Sequence, residues 1–107
     1  MVNEQWLFLK DAALLIQYIN DSKYTASSGE LWRTQYQQDH YLATGKSKVK
    51  HSLHQDRLAI DLNFFDHGKL IECPEVFGTY WESLSLQNVW GGRWSSPHDP
   101  SHFQRGQ

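Results

Sequence analysis

The sequence predicts an α+β fold, in which a small, mainly antiparallel sheet is packed by two to three helices. Residues 6–20 place apolar side chains three and four positions apart, which is the spacing of one helical face. Residues 74–85 repeat that spacing, with Pro74 in the first turn, where a missing N–H is tolerated. Residues 58–65 instead alternate with period two, which indicates a strand. At 107 residues we expect one domain over 1–107.

Composition narrows the class of protein. Hydrophobic residues make up 39% and charged residues 21%, a profile typical of a folded globular chain. The net charge of −2 argues against a general nucleic-acid binder, and Cys73 as the lone cysteine excludes an intrachain disulfide framework. No apolar run has the length of a membrane span, and the N-terminus lacks the layout of a signal peptide. We therefore expect a monomer that has no nucleic-acid or membrane partners and that is made in the cytoplasm.

The remaining elements are shorter. Asp66–Lys69 has the composition of a hairpin turn, and glycines interrupt the short strand predicted over residues 89–94, whose Trp90 or Trp94 could wall a cleft. The other expectations are an extended segment over 24–32, a helix over 34–43, a loop over 95–101, a last strand at His102-Phe103 and a frayed tail over 104–107.

Two stretches carry residues of the kind that bind zinc. Residues 52–62 contain His54 and Asp61, and residues 99–103 contain His102, with the spare carboxylate of Asp99 three positions before it. Imidazole nitrogen and carboxylate oxygen are the usual zinc ligands other than sulfur, and three protein ligands leave a position for water. Asp61 is predicted on the strand face opposite the apolar residues, beside the small Ala59.

Spacing alone leaves two interpretations open. A separation of seven residues between His54 and Asp61 is not a self-evident ligand pair, unlike two histidines one helical turn apart. A surface histidine and a strand-end aspartate that only make hydrogen bonds fit the spacing as well. His98 is a competing histidine close to His102.

The motifs themselves resemble a known family. Ser-x-His-x-x-x-x-Ala-x-Asp, here Ser52 to Asp61, followed by Asp-x-x-His-Phe, here Asp99 to Phe103, is similar to the zinc peptidases of the M15 family. These include D-Ala-D-Ala carboxypeptidases and dipeptidases, and phage L-alanyl-D-glutamate endopeptidases that act as endolysins. The likeness runs from about Glu30 to Phe103 and is closest to small phage and prophage members. Arg57 departs from the family's usual glycine, which would permit a positive φ.

The resemblance implies a metal centre at the edge of the sheet. Zn²⁺ would be bound by His54, Asp61 and His102, because the family's frame selects His102 over His98. Asp99 would act as the general base on a metal-activated water.

The family resemblance also implies which residues contact the substrate. Arg33 would steady the oxyanion, and Ser52 and Gln38 would bind the substrate.

The implied function is that of a zinc metallopeptidase on the bacterial cell wall. The expected partner is a peptidoglycan stem peptide, cut between L-Ala and D-Glu in the manner of an endolysin, and another factor would release the protein from the cytoplasm. One alternative is a D-Ala-D-Ala carboxypeptidase or dipeptidase that uses the same site. Another is a non-catalytic, zinc-containing binding protein. A nucleic-acid module would need a basic face with interleaved aromatics, which the acidic balance opposes.

Overall fold

A computed structural model describes residues 2–29, 53 and 56–106 of the chain. Its elements in chain order are α1 (Val2–Asn20), β1 (Thr25–Ser28), β2 (Ala59–Asp66), β3 (Lys69–Ile71), α2 (Glu75–Leu84), β4 (Asn88–Trp90), a 3-10 turn (Gly91–Arg93) and β5 (His102–Arg105). The predicted α+β class is confirmed. The helix predicted over 34–43 lies outside the described residues. Within the described ranges, neither helix is long and apolar enough to cross a membrane.

The sheet is built around β2. The strand order is β1-β2-β5-β4, with β3 also paired to β2, and every pairing between the described strands is antiparallel. In the β2–β5 register, Ile60 lies opposite Phe103 and Asp61 lies opposite His102. Neighbouring residues of a strand point to opposite faces, so this register separates an apolar face from a polar one.

The apolar face of β2 forms the core with the two helices. The residues that alternate along the strand, from Leu58 to Phe64, are buried as the period-two pattern predicts. Trp81 of α2 is fully buried, and its indole N–H donates to the carbonyls of Val89 and Gln104. The helix is thereby fixed to both β4 and β5. The core residues are Phe8, Ala12, Leu15, Ile19, Leu58, Ile60, Leu62, Phe64, Cys73, Phe77, Trp81, Trp90 and Phe103.

The predicted frayed tail is wrong for Gln104 and Arg105. Both belong to β5 and both are buried. The Arg105 N–H donates to the Leu58 carbonyl, and its guanidinium pairs with Glu4 of α1. These partners are distant in sequence, so the local composition gave no sign of them. The strand predicted over 89–94 also ends early, at Trp90, where the 3-10 turn begins.

Two turns flanking β2 use left-handed backbone. The predicted hairpin turn is confirmed: His67 and Gly68 have φ values of 52° and 79°, which matches the two-residue turn that antiparallel strands favour. On the other side of β2, Arg57 has a φ of 59°. A side chain with a Cβ is strained in this region, which explains why a glycine suits the position.

We expect the stability of the chain to report this strain. Arg57→Gly and Arg57→Ala remove the same side-chain contacts, but only alanine keeps a Cβ at positive φ. The glycine variant should therefore be more stable than the alanine variant by about 1 kcal/mol in urea unfolding. At Lys10, which is exposed within α1, the same pair of substitutions should show the opposite order by a similar amount, since alanine is the better helix former. The same order at both positions would contradict the interpretation.

Candidate metal centre

The centre begins with a cross-strand pair on the polar face of the sheet. Asp61 and His102 are direct partners in the β2–β5 register, although 41 residues separate them in sequence. Directly opposed residues of antiparallel strands bring their side chains within reach of each other. The Nδ1 atom of His102 lies 3.1 Å from Oδ1 of Asp61. The imidazole is buried, whereas the Asp61 side chain is 25% exposed and so remains accessible from solvent.

Asp99 joins this pair from the turn before β5. One ligand atom from each of Asp61, Asp99 and His102 lies within 4.8 Å of the other two. The turn is held by its own backbone, because the His102 N–H donates to the Asp99 carbonyl at 3.1 Å. The Ser101 hydroxyl donates to Oδ1 of Asp99 at 3.2 Å, which orients the carboxylate.

The residues after β4 hold the Asp99 turn against the sheet. The Asp99 N–H donates to the Gly91 carbonyl, and the Trp90 indole N–H donates to the Pro100 carbonyl at 2.8 Å. A Cβ on Gly91 would lie 2.2 Å from the Asp99 carbonyl oxygen, so the backbones can approach this closely only with glycine. The Trp94 ring lies 5.2 Å from the His102 ring and forms a wall beside the centre.

The two carboxylates of this group act on the charge of the His102 imidazole. Burial of the His102 imidazole lowers its pKa, but the hydrogen bond and charge of Asp61, together with Gln104 and the charge of Asp99, outweigh burial and raise the pKa overall. The surroundings therefore favour a positive charge beside the two carboxylates, which a bound proton or a bound metal ion can supply.

The described residues fit a zinc ion by their donor chemistry. Two carboxylates and an imidazole are ligand types that zinc accepts, and their atoms converge rather than diverge. Asp61 and His102 can supply two of the ligands of a divalent cation, and Asp99 places a further carboxylate beside them.

Four other predicted site residues lie outside the described part of the chain. They are His54, Arg33, Gln38 and Ser52. The chain on either side of His54 is anchored: the Leu53 carbonyl accepts from the Leu58 N–H, and the Asp56 carbonyl accepts from Gln5 of α1 at 2.8 Å.

His98, the competing histidine, is held away from the group. Its Nδ1 lies 3.1 Å from the Trp94 carbonyl oxygen, and its Nε2 lies 3.5 Å from a carboxylate oxygen of Glu72. His98 is not a member of the three-residue group found among the described residues.

Sequence reasoning missed Gln104 as a neighbour of the centre. Its Oε1 lies 2.7 Å from Nε2 of His102, on the side of the ring away from Asp61. The available signal was strand alternation, because residues two apart in a strand share a face. The prediction of a tail after Phe103 hid that signal.

We expect Gly91→Ala to displace the Asp99 turn. The new methyl group meets backbone rather than a flexible side chain, and overpacking of this kind costs about 1–3 kcal/mol in urea unfolding. Zinc affinity, measured by competition with a chelator, should fall as well. Gly68→Ala is the control: it introduces strain at positive φ but has nothing within 4 Å, so it should lower stability without changing zinc affinity. Equal zinc affinities in the two variants would contradict the expected role of Gly91.

Comparison with known proteins agrees with the fold and motifs. A family model of M15 peptidases, described as D-alanyl-D-alanine carboxypeptidase, matches residues 45–105, more than half of the chain. The crystal structure of the L-Ala D-Glu endopeptidase ChiX from Serratia marcescens is similar, with a TM-score of 0.73 and 20% sequence identity. The match covers 92% of this chain and 77% of that one, and at this identity it shows a shared fold. No curated protein sequence matches. Because the family match includes both strands that carry Asp61 and His102, the chain belongs to the M15 peptidase family.

Proposed function

We propose that this protein is a zinc-dependent peptidase that hydrolyses an amide bond in the stem peptide of peptidoglycan. The observation that carries the proposal is the convergence of Asp61, Asp99 and His102 in a chain of this family. These residues come from two separate parts of the sequence, and the β2–β5 register and the Asp99 turn bring them together. A purely structural zinc site would be closed by four protein ligands and would need no additional carboxylate.

The proposed ligands are His54, Asp61 and His102. Asp61 and His102 are fixed by strand pairing, and His54 would come from the segment between the anchored Leu53 and Asp56. A bound zinc ion would supply Lewis-acid activation of water, lowering the pKa of that water to about 7.

Asp99 is proposed as the general base. It accepts a proton from the attacking water and passes it to the nitrogen of the leaving amine, so that water adds across the amide bond. Two contacts support this role: the Ser101 hydroxyl donates to the Asp99 carboxylate, and the His102 N–H donates to the Asp99 backbone carbonyl and so holds the turn. Arg33 is proposed to stabilise the oxyanion, with Ser52 and Gln38 binding the peptide, as the family resemblance implies.

The bond is proposed to be the one between L-Ala and D-Glu. The similar structure is that of an L-Ala D-Glu endopeptidase, and the family description supports the alternative of a D-Ala-D-Ala carboxypeptidase. Digestion of purified peptidoglycan followed by mass analysis separates the two. Cleavage at L-Ala–D-Glu releases peptides that begin with D-Glu, whereas carboxypeptidase cleavage releases free D-Ala. A protein that binds zinc and releases neither product would be the non-catalytic alternative.

We expect metal content to depend on His54. The wild-type protein should purify with about one zinc ion per chain, and His54→Ala should lose most of it, since two protein ligands hold zinc poorly. His98→Ala is the matched control, because that histidine is engaged with Trp94 and Glu72 and should leave the metal content unchanged. Full zinc content in His54→Ala would remove that residue from the ligand set.

We expect Asp99→Asn to separate metal binding from catalysis. Asparagine keeps the shape of the side chain but cannot accept the proton, so zinc should stay bound while turnover on peptidoglycan falls by about 10²–10⁴. Asp21→Asn, at an exposed residue just after α1, is the control and should retain full turnover. If Asp99→Asn lost the metal instead, Asp99 would be a ligand rather than the base.

A further inference from the structure

The orientation of the Gln104 amide is fixed by a backbone carbonyl. Its Nε2 lies 2.7 Å from the carbonyl oxygen of Gly106, which can only accept a hydrogen bond. The amide NH₂ must therefore face Gly106, and Oε1 must face His102. Gly106 is held in turn, because its N–H donates to the Gln87 carbonyl at 2.8 Å. The amide group is buried opposite Ala59, whose small side chain leaves room for it.

This orientation determines which nitrogen of His102 carries a hydrogen. Oε1 of Gln104 accepts, so Nε2 of the imidazole must donate across the 2.7 Å contact. In the neutral ring, Nδ1 is then left with its lone pair directed toward Asp61 at 3.1 Å. Two acceptor atoms at that distance repel each other unless a cation is shared between them or lies beside them.

We propose that Gln104 is a positioning residue of the metal centre. It holds His102 in the Nε2–H tautomer and so presents Nδ1, on the side of Asp61 and Asp99, as the metal ligand. A histidine ligand needs such a partner on its other nitrogen, which sets the ring orientation and raises the basicity of the ligand atom. The proposal rests on the proposed zinc site, and it assigns a role to a residue that does not itself touch the metal or the substrate.

Three variants test the proposal through zinc affinity, measured by chelator competition. Gln104→Met keeps the volume but removes the acceptor, and it should weaken zinc binding by about 10–100-fold. Gln104→Glu restores an acceptor for His102 while losing the donor to Gly106, so its affinity should stay within about threefold of wild type even if stability falls. Gln17→Met, on the exposed face of α1, should leave the affinity unchanged.

The comparison between the two Gln104 variants is decisive. Both variants lose the hydrogen bond to Gly106, but only methionine loses the acceptor for His102. If both weaken zinc binding equally, the contact with Gly106 is responsible and the proposal is overturned. If the wild type binds zinc and Gln104→Met binds it equally tightly, the role proposed for Gln104 is wrong but the zinc site itself is supported. If the wild type itself does not bind zinc, the proposed function fails with it.

A measurement on the wild type decides the matter without any variant. In the zinc-loaded protein, ¹⁵N NMR of the histidine rings should show His102 with a hydrogen on Nε2 and none on Nδ1. The reverse pattern, with the hydrogen on Nδ1, would overturn the proposal even if Gln104→Met failed to fold.

Discussion

The pairing of Asp61 with His102 across β2 and β5 is the constraint on which the candidate centre depends. Side chains alternate between the faces of a strand, so a slip of one residue in this register would send one member of the pair to the opposite face. The register is held from that opposite face, where Ile60 and Phe103 are directly paired and buried. Trp81 adds to this by bonding the backbone of β5 from α2. The hydrophobic core therefore sets the geometry of the polar site.

A second constraint acts on Asp99, which no strand holds. Its turn is fixed by contacts with the end of β4: the indole of Trp90 binds the Pro100 carbonyl, and the absence of a side chain at Gly91 lets the two backbones meet. Trp90 is itself part of the core. The position of the proposed base thus depends on the same hydrophobic core as the positions of the ligands. The core acts on the base through the end of β4, and on the ligands through β2 and β5.

Local patterns predicted what local interactions determine. The two helices, the buried face of β2 and the turn at His67 follow from spacing and composition, and the structure has them. The end of β5 could not be predicted in this way, because Gln104 and Arg105 are ordered by partners far away in sequence, such as Glu4.

The motifs singled out Asp61, Asp99 and His102, which the structure brings together. Gln104 carries no motif, and only the strand that sequence reasoning missed places it beside His102. The roles predicted for His54, Arg33, Gln38 and Ser52 remain predictions.

The two faces of the sheet have opposite effects on folding. On the polar face Asp61 and Asp99 bring two carboxylates close together, and repulsion between like charges opposes folding. The positive φ of Arg57 adds backbone strain three residues after His54, in a segment proposed to carry a ligand. Metal binding would offset the first cost, because a cation that binds only the folded chain contributes its binding free energy to folding. Without metal, that cost is offset by the hydrogen bonds of the Asp99 turn and by the apolar face, where the fully buried Trp81 and Phe103 lie behind the strands that carry the ligands.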